Sequence, residues 1–566
     1  MIKNNKYKDL WVVADFETTT EKFYNEHGYT KVWLWAISSS EGKTIAIGED
    51  IESFMSYCTE NLKNYVIFFH NLKFDGSYIL SYILSKGTPY KDKIGSRDNA
   101  CFNTLISDLG QYYQISYHPR SEVTYYFQDS LKLLPFKVEK IAKDFGLPIL
   151  KLNIDYDDYT VNEETIEYIK HDVEIVAMAL SQIKALGMTQ MTTASCAYQL
   201  YSKTNQFMYD YFPCLDVEFL EEYRMAYRGG RSQCNPLYQD KIIYNVKRYD
   251  INSMYPHIMR NLPLPIGKPI KQTSIGQRDF ELYKVDIIFK LKEGHLPTLL
   301  KKNNLYCDGS YYIETEGMER LYLSNIDYEL LQRHYDIELI NFVEIWGFKT
   351  MTGLFTNYID YWYKIKQEHK GAWRIVAKLM LNSLYGKFGS RCLGKGKVPC
   401  LNEDNVLTHE LTEEMPMKRY YLPVAIAIVS HAHKLIDDAI VNTGIGNFVY
   451  CDTDSVHTLG SISDDMVDQV MLGKFKLEGT ELKSRYVRQK TYVYTELDDK
   501  DRLIYTITCA GMTDEIKNYC IETYKDDIFN MFTQGFKVED MKLMPTMVKG
   551  GIILTKTSFE IRIRGE

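Results

Sequence analysis

The sequence predicts a multidomain protein of mixed α/β and α+β class. At roughly 150 residues per domain, the 566-residue length suggests three or four domains. The first 190 residues alternate short apolar β-rich runs with amphipathic helical stretches, a pattern typical of an α/β unit. The rest of the chain groups β-rich segments around a few helical stretches, which indicates α+β organisation.

In the first unit, four apolar runs predict strands: WVVADFETT, VWLWAIS, YVIFFH and VTYYFQDS. Two helices are predicted, PFKVEKIAKDFG closed by Gly146 and ETIEYIKHDVEIVAMALSQIKALG closed by Gly187, because glycine readily ends a helix. The adjacent glycines of YRGGR, beginning at Tyr227, indicate a hinge between domains or a close backbone approach.

The chain beyond residue 240 shows six further segments. Residues 240–350 are β-rich, and residues 354–389 predict two helices interrupted near Gly371. A glycine- and charge-rich stretch, 389–417, predicts a loop or hairpin insertion. An apolar helix over about 421–441, a β-hairpin around Tyr450 and a small β-rich tail follow.

Composition excludes several classes of protein. The eleven cysteines are odd in number, widely spaced and free of Cys-x-x-Cys, which disfavours a disulfide framework or structural zinc and favours a reducing compartment. No signal-like apolar region precedes the first strand, and the longest apolar stretch, 420–429, is shorter than the ~18 residues of a membrane span. We therefore expect an intracellular protein with no membrane partner. His431 and His433 lie in an apolar helix, where packing or capping is favoured over metal ligation.

The net charge of −8 disfavours a polyanionic partner at first sight. The local distribution reverses that inference. Residues 361–400 contain nine basic side chains and one acidic, and residues 483–490 contain four basic and none acidic. Basic channels inside an acidic exterior suit contacts to phosphates.

A first group of acids lies in the N-terminal unit. Asp15 and Glu17 are two apart in a predicted strand and share a face, and Asp75 follows an apolar strand and a short turn. Tyr168 and Asp172 are four apart on a predicted helix. Taken singly, each pattern is more often a solvated strand edge or helix surface. Together, four acids and a tyrosine could hold two divalent metals for attack on a phosphodiester.

A second group lies far along the chain. Asp250 follows a predicted strand, and Asp452 and Asp454 are predicted same-face partners in a tight hairpin. Acids in a turn are usually solvent-exposed, but apolar residues flank this pair. Carboxylates brought together from two strands would bind two Mg²⁺ for in-line displacement at a triphosphate.

Between these acids, WRIVAKLMLNSLYGKFG predicts a helix with one basic stripe. Arg374, Lys378, Asn382 and Tyr385 are spaced to share a face, opposite apolar positions that include Ile375, Leu379 and Leu381. A plain amphipathic surface helix remains the alternative. Beside the acids, the stripe suits a triphosphate grip with a tyrosine under the base.

These motifs, taken in order, resemble two known arrangements. The first group resembles the three motifs of DEDD-type proofreading exonucleases, in the tyrosine version, across about 190 residues. DINSMYP, KLMLNSLYG and YCDTDS resemble motifs A, B and C of family B DNA polymerases. Across essentially the whole chain, the similarity is strongest to protein-primed (terminal-protein-primed) replicative polymerases of small tailed bacteriophages with linear double-stranded genomes.

The resemblance implies an N-terminal RNase H-like DEDD 3′→5′ exonuclease domain followed by a right-hand palm, fingers and thumb with two terminal-protein-region insertions. The implied ranges are 1–195 for the exonuclease, 196–261 for the first palm part with the YRGGR linker, 262–353 for insertion 1, 354–389 for the fingers, 390–418 for insertion 2, 419–521 for the second palm part and 522–566 for the thumb. Insertion 2 would serve processivity and strand displacement. Its acid-rich latter half departs most from the family pattern.

The resemblance also assigns roles to single residues. In the exonuclease site Tyr168 would orient the attacking water, and the metal ligands would be Asp15, Glu17, Asp75 and Asp172. In the polymerase site the metal-binding positions would be Asp250, Ile251 and Asp454, with Asp452 close by and also catalytic. The residues implied to bind the incoming nucleotide are Tyr255, Lys366, Arg374, Lys378 and Tyr385. Those implied to bind DNA are Tyr227, Gly229, Gly230, Asn382, Ser383, Gly386, Lys490, Tyr492, His70, Asn71, Phe74, Ser130, Leu131, Lys151 and Tyr156.

We therefore expect a monomeric replicative DNA-directed DNA polymerase with proofreading, protein-primed and strand-displacing, in the cytoplasm of an infected bacterium. Its expected cofactor is Mg²⁺, two ions per active site with Mn²⁺ tolerated. Its expected partners are primer-template and single-stranded DNA, dNTPs and a phage terminal protein. One alternative is a DEDD exonuclease whose C-terminal portion grips DNA without polymerising. Another is a replication scaffold with degenerate sites, which the intact acids disfavour.

Overall fold

The computed structural model describes residues 10–303 and 306–562. Its N-terminal unit contains β1 (Trp11–Thr18), α1 (Glu21–His27), β2 (Val32–Ser39), β3 (Thr44–Gly48), α2 (Ile51–Asn61), β4 (Val66–Phe69), α3 (Leu72–Ser85), β5 (Cys101–Ile106), β6 (Tyr112–Arg120), β7 (Val123–Asp129), α4 (Val138–Asp144) and α5 (Glu163–Ala185).

These elements form an α/β unit around a seven-stranded sheet in the order β3-β2-β1-β4-β7-β6-β5. Strands β1, β4 and β7 run parallel, and the outer pairings are antiparallel. The four predicted strands and both predicted helices are confirmed; β3, β5 and β6 were not predicted. Gly146 and Gly187, which close α4 and α5, adopt φ of +62° and +92°.

The middle of the chain contains α6 (Thr193–Thr204), α7 (Met208–Tyr211), α8 (Val217–Tyr223), β8 (Ser232–Cys234), β9 (Ile242–Ile251), α9 (Met254–Asn261), β10 (Leu264–Lys271), β11 (Phe280–Leu291), β12 (Leu300–Asn303), β13 (Tyr306–Tyr311), β14 (Glu319–Ser324), α10 (Asn325–His334) and β15 (Tyr335–Met351). Strands β10, β15, β11 and β14 form a separate antiparallel sheet.

The remaining elements are α11 (Thr356–Glu368), α12 (Gly371–Phe388), β16 (Leu393–Gly394), β17 (Lys397–Leu401), β18 (Leu407–Leu411), β19 (Met415–Pro416), α13 (Leu422–Thr443), β20 (Phe448–Asp452), β21 (Ser455–Thr458), β22 (Phe475–Arg488), β23 (Thr491–Leu497), β24 (Leu503–Cys509), α14 (Asp514–Tyr524), α15 (Ile528–Met531), β25 (Lys537–Val548) and β26 (Gly551–Glu560). The two helices separated near Gly371, the hairpin at 389–417, the apolar helix and the hairpin at Tyr450 are all confirmed.

A second seven-stranded sheet, in the order β24-β23-β22-β9-β21-β20-β8, forms the centre of the C-terminal half. The long apolar helix α13 packs against this sheet. Its buried residues recur on nearly every face, which is the pattern of a helix surrounded by other elements. No helix in the described ranges is long and apolar enough to cross a membrane.

The tip of the β25–β26 hairpin reaches back to the N-terminal unit. The Thr30 amide donates to the Lys549 carbonyl at 2.9 Å, and the Tyr78 hydroxyl of α3 donates to the Ile552 carbonyl. Lys549 also forms a β-bridge with Val406, in the turn between β17 and β18. At Gly550, φ is +96° and a Cβ would lie 2.2 Å from the Thr30 carbonyl oxygen, so only glycine fits this junction.

A buried ionic network ties β8 to α13 and α10. Asp437 is fully buried and accepts from Arg231 at 2.9 Å, His334 at 2.9 Å and Arg333 at 2.8 Å. The carbonyl of Arg231 in turn accepts from the amide of Thr453, at 2.7 Å. The network therefore anchors the strand beside the hairpin that carries Asp452 and Asp454.

Candidate active sites

The structure brings three of the N-terminal acids into one group. Asp15 and Glu17 project from the same face of β1, and Asp172 projects from α5. One ligand oxygen from each lies within 4.8 Å of the others. Asp75, in the first turn of α3, is not part of that group, although burial, and then the charges of Asp15 and Glu17, raise its pKa.

Burial raises the pKa of each of these carboxyls. It raises the pKa of Asp15 to about 7, with the charge of Asp172 adding to the effect. The pKa values of Glu17 and Asp75 are raised well above their ordinary values, first by burial and then by the neighbouring acids. The charge of Lys151 offsets part of this effect for Asp15 and Glu17, but acids crowded in this way remain unfavourable without further positive charge.

The acids fit a divalent metal. Oδ1 of Asp172 is buried and has no hydrogen-bond partner among the described residues, while Oδ2 is paired with Lys151. An orphaned carboxylate oxygen beside two further acids is a ligand set of hard oxygen donors, which Mg²⁺ prefers. The acids line an open cavity of about 220 Å³, large enough to admit a ligand.

Two tyrosines and a lysine complete this centre. The Lys151 ammonium lies 4.8 Å from the centre of the Tyr168 ring, and the Tyr156 hydroxyl is 3.0 Å from the Tyr168 hydroxyl. The sequence predicted Lys151 and Tyr156 as DNA contacts only. The structure places them against Asp172 and Tyr168, a position that no spacing in the sequence indicated.

The predicted 3′-end contacts surround the same cavity in part. His70 lines it, held by the Ser130 hydroxyl at 3.0 Å and the Phe136 carbonyl at 2.7 Å. The side chain of Ser130 is fully buried, and its hydroxyl bonds to His70 and donates to the Phe69 carbonyl. Asn71 is exposed with φ of +81°, and the amides of Asn71 and Leu131 both donate to Asp129. Phe74 is half-buried beside Tyr78, 6.0 Å between ring centres.

The second group of acids converges on the C-terminal sheet. Asp250, at the end of β9, lies opposite Ser455 of β21. The Ile251 amide donates to the Asp454 carbonyl at 2.8 Å, which fixes the two segments side by side. Asp452 and Asp454 were predicted as same-face partners in a tight hairpin. The tight hairpin is confirmed: Asp452 ends β20 and Asp454 lies in the two-residue turn after it, where Thr453 has φ of +63°, so strand alternation does not set the direction of Asp454.

The three aspartates of this centre differ in their charge environment. Burial, and then the charge of Asp454, raises the pKa of Asp250 to about 7. Burial also raises the pKa of Asp454. Asp452 differs, because Lys490 Nζ lies 2.7 Å from both of its carboxylate oxygens. Among the described residues, no cation is bonded to Asp250 or Asp454, which fits the metal role that the sequence predicted for them.

Helix α12 presents the predicted stripe to the same centre. Arg374, Lys378 and Asn382 are exposed, whereas the buried side is formed by Val376, Ala377, Met380, Leu381, Leu384 and Phe388. Ile375 and Leu379, predicted on the apolar side, are only half-buried because they flank that face. Gly386 is exposed, and the Ser383 hydroxyl lies 3.4 Å from that of Thr193.

The nucleotide-binding predictions converge as well. The rings of Tyr255 and Tyr385 stack 4.1 Å apart. Lys366 Nζ donates to the Ser253 hydroxyl at 2.8 Å, and Arg374 donates to the Lys366 carbonyl at 3.1 Å. Burial, then the charges of Lys378 and Arg374, lowers the pKa of Lys366. An anion bound between these three cations would relieve their repulsion.

The YRGGR linker lies against both α12 and the acidic hairpin. The Tyr227 ring packs so closely on Gly389 that a Cβ there would lie 2.6 Å from it. A Cβ at Gly230 would lie 2.8 Å from the Thr453 hydroxyl, so glycine is required. The carbonyl of Gly229 accepts from His433 at 2.7 Å, a packed role for that histidine. Tyr492 is stacked on Tyr486, 5.0 Å between ring centres.

Comparison with known proteins gives a consistent answer. The family described as DNA polymerase type B, organellar and viral, matches residues 57–160 and 157–470. The DNA polymerase of Bacillus phage phi29 is 35% identical over 97% of this chain and 98% of its own length. That of Streptococcus phage Cp-1 is 32% identical over 98% of each.

Solved structures agree. Phi29 DNA polymerase in complex with primer-template DNA and incoming nucleotides matches with a TM-score of 0.87 and 34% identity, over 98% of this chain and 100% of that one. Its complex with single-stranded DNA matches with the same TM-score, at 33% identity. The expected mixed α/β and α+β multidomain fold and the resemblance to small-phage polymerases are thereby confirmed. The chain belongs to the type B DNA polymerase family of organelles and viruses.

Proposed function

We propose that the chain is a replicative DNA-directed DNA polymerase with a 3′→5′ proofreading exonuclease. The observation that carries this proposal is the presence of two separate acidic centres, one on β1 and α5 and one at the ends of β9 and β20. Each has its own flanking cations and tyrosines. A single-activity nuclease would have no use for the second centre.

In the N-terminal centre, Asp15, Glu17, Asp75 and Asp172 would hold two divalent ions, which when bound would activate water and stabilise the leaving oxygen. Burial, followed by the charges of Asp172 and Glu17, raises the pKa of Tyr168, so its hydroxyl stays protonated and can orient the attacking water. Tyr156 holds that hydroxyl in place. Lys151 neutralises Asp172 and stiffens the cluster.

In the C-terminal centre, Asp250 and Asp454 would hold the ions, with Ile251 adjoining them. Lys366, Arg374 and Lys378 would bind the triphosphate. The charges of Lys378 and Arg374 disfavour the charged form of Lys366, and the negative charge of the triphosphate would offset that repulsion. Tyr255, stacked on Tyr385, would form the wall beneath the sugar and exclude a 2′-hydroxyl.

DNA would lie across both centres. Lys490, beside Asp452, would hold the primer end together with Tyr492. Tyr227, Gly229 and Gly230 would contact the template, joined by the α12 residues Asn382, Ser383 and Gly386. His70, Asn71, Phe74 and Leu131 would receive a frayed 3′ end, and Ser130 would support His70.

We also propose finer features that follow from the family. The ions are Mg²⁺, with Mn²⁺ tolerated, and the enzyme is a monomer in the cytoplasm of the infected bacterium. Its exonuclease, palm, fingers and thumb domains and its two insertions occupy the ranges predicted from the sequence. Priming uses a phage terminal protein. Labelled dAMP should become attached to the cognate terminal protein, and the absence of any adduct would count against protein priming.

The central experiment separates the two centres. Asp454→Ala should abolish primer extension while 3′→5′ degradation of a labelled primer persists, and Asp15→Ala combined with Asp75→Ala should do the reverse. Asp499→Ala, an exposed acid between β23 and β24, is the matched control and should change neither activity.

Two outcomes would contradict the proposal. If either set of active-site variants remained folded but lost both activities, the two-centre assignment would be wrong. If Asp454→Ala changed nothing, the alternative of an exonuclease with a non-polymerising C-terminal portion would be favoured.

A further inference from the structure

A buried carboxylate lies in β22, the strand that leads to Lys490 and Tyr492. Glu481 is 0% exposed, and both of its carboxylate oxygens accept from the Tyr486 hydroxyl, at 2.7 and 2.8 Å. His457 of β21 reaches the same place, with Nδ1 2.6 Å from that hydroxyl and 3.2 Å from Glu481. We call Glu481, Tyr486 and His457 the Glu481 cluster.

The hydrogens of the Glu481 cluster have one consistent arrangement. A tyrosine hydroxyl has a single proton and a carboxylate only accepts, so Tyr486 donates to Glu481, and His457 donates from Nδ1 to the Tyr486 oxygen. Burial, and then the charge of Glu481, raises the pKa of Tyr486, which keeps that donor protonated. Glu481 therefore fixes the hydroxyl end of the Tyr486 ring.

The Tyr486 ring in turn supports the residues assigned to the primer end. Tyr486 pairs across strands with Tyr492, and their rings stack 5.0 Å apart. The centre of the Tyr450 ring lies 5.3 Å from that of Tyr486 and 5.1 Å from that of Tyr492. The Tyr450 hydroxyl accepts from the amide of Lys490 at 3.0 Å, where φ is +55°. A displaced Tyr486 ring would therefore shift both Tyr492 and Lys490.

A buried carboxylate is less favourable at this position than an apolar side chain would be. Among the described residues, no lysine or arginine nitrogen lies within the 4.0 Å of an ion pair from Glu481. Arg248 is near enough for its charge to interact with Glu481, but it bonds to Glu496 at 2.8 Å. Replacing a buried ionic group by an apolar one of similar volume is often neutral or stabilising. What the carboxylate adds is the orientation of Tyr486 rather than stability.

We propose that Glu481 is a positioning residue for the primer 3′ end. Through Tyr486 it sets the places of Tyr492 and Lys490, so that the 3′-hydroxyl meets the polymerase centre in line. This inference rests on the proposed polymerase function, in which Lys490 and Tyr492 hold the primer end. Because Glu481 is fully buried, it acts only through its neighbours.

The test measures single-nucleotide insertion in the background of Asp15→Ala with Asp75→Ala, so that degradation does not obscure extension. Glu481→Met puts an apolar side chain of similar length in place of the carboxylate. It should lower kcat roughly tenfold, the factor that one hydrogen bond contributes. The KM for dNTP should stay unchanged, because the nucleotide contacts lie on α11 and α12. Glu481→Gln retains an acceptor for the Tyr486 hydroxyl and should keep most of the wild-type kcat.

Tyr486→Phe tests the path from Glu481 to the primer end. It should lower kcat as much as Glu481→Met does, and the double variant should lower it no further, because both changes break the same contact. Removing donor and acceptor together is often close to neutral for stability, so the double variant keeps the test available if a single variant does not fold. Glu60→Met, the same substitution at an exposed position of α2, is the matched control and should leave kcat unchanged.

Four results would overturn the inference: a wild-type kcat in Glu481→Met, a raised KM for dNTP in place of the lowered kcat, losses that multiply in the double variant, or a Glu481→Gln variant as impaired as Glu481→Met. A double variant that does not fold would do the same, because the cluster would then be structural. Failure of the proposed function is distinguishable, since the wild type itself would then extend no primer when Mg²⁺ and dNTPs are added.

Discussion

The buried carboxylate of Asp437 offers a sharp test of how the polymerase centre is held in place. Asp437→Ala removes the acceptor of Arg231, His334 and Arg333 at once. Arg231 is only 1% exposed, so its guanidinium would remain inside the protein with Gln233 as its remaining side-chain partner. Leaving one partner of a buried ion pair uncompensated costs about 3–5 kcal/mol.

The next residue along α13 supplies the matched control. Asp438 is 39% exposed at its side chain and pairs with Arg333 at 2.7 Å and Lys434 at 3.7 Å. Surface pairs of this kind contribute about 0–1 kcal/mol. Asp438→Ala should therefore be nearly silent, although it removes the same charge from the same helix.

A chain with several domains does not unfold in one step, so the assay must be local. Amide hydrogen exchange over 231–235 and 448–454 reports on β8, β20 and the acidic turn, and the amide of Thr453 bonds directly to the Arg231 carbonyl. Protection there should fall by about two to four orders of magnitude in Asp437→Ala. Equal exchange rates in the two variants would refute the idea that this network anchors the turn.

Three further predictions concern single contacts. Tyr255→Val removes the ring that stacks on Tyr385, so discrimination against ribonucleotides should fall roughly tenfold or more. Single-nucleotide insertion kinetics would measure this, and unchanged selectivity would exclude Tyr255 as the side chain that blocks the 2′-hydroxyl. Burial, and then the charges of nearby lysines, lower the pKa of His409 from 6.5 to about 4. The folded state therefore holds the ring neutral, bonded to Tyr112, and the free energy of unfolding should fall by about 2 kcal/mol as the pH drops from 6.5 toward 4. Proteolysis of the β17–β18 hairpin should show this pH dependence, and His409→Asn should remove it. Tyr78→Phe should weaken the contact to β26 by about 1 kcal/mol, detectable as faster cleavage near residue 550, whereas unaltered cleavage would mean the hydroxyl contributes nothing.

Much of the site could be predicted because its acids lie in locally defined elements. Asp15 and Glu17 share a strand face, and Arg374, Lys378 and Asn382 share a helix face, so periodicity alone places them together. The position of Asp454 could not be derived in this way, because Asp454 lies in the turn after β20 rather than in a strand, and Thr453 before it has a positive φ.

The remaining misses are contacts between distant segments. Lys151 meets Asp172 across a long loop, and neither residue type nor spacing encodes that approach. The burial of Ser130 is similar, because it depends on how the end of β7 lies beside β4, where the Ser130 hydroxyl donates to the Phe69 carbonyl. Strands β3, β5 and β6 were also missed; β3 has only five residues, and β6 carries a proline near its end.

The contact between Thr30 and Lys549 joins residues that are made at very different times. At 5–20 residues per second, a ribosome needs roughly half a minute to two minutes to pass from one to the other. During that interval the N-terminal unit has to keep α3 and its Asp75 in place without the β25–β26 hairpin. The hairpin contact is therefore among the last to form, and chains cut short before residue 549 would lack the bonds that hold Thr30 and Tyr78 of the N-terminal unit to the other end of the chain.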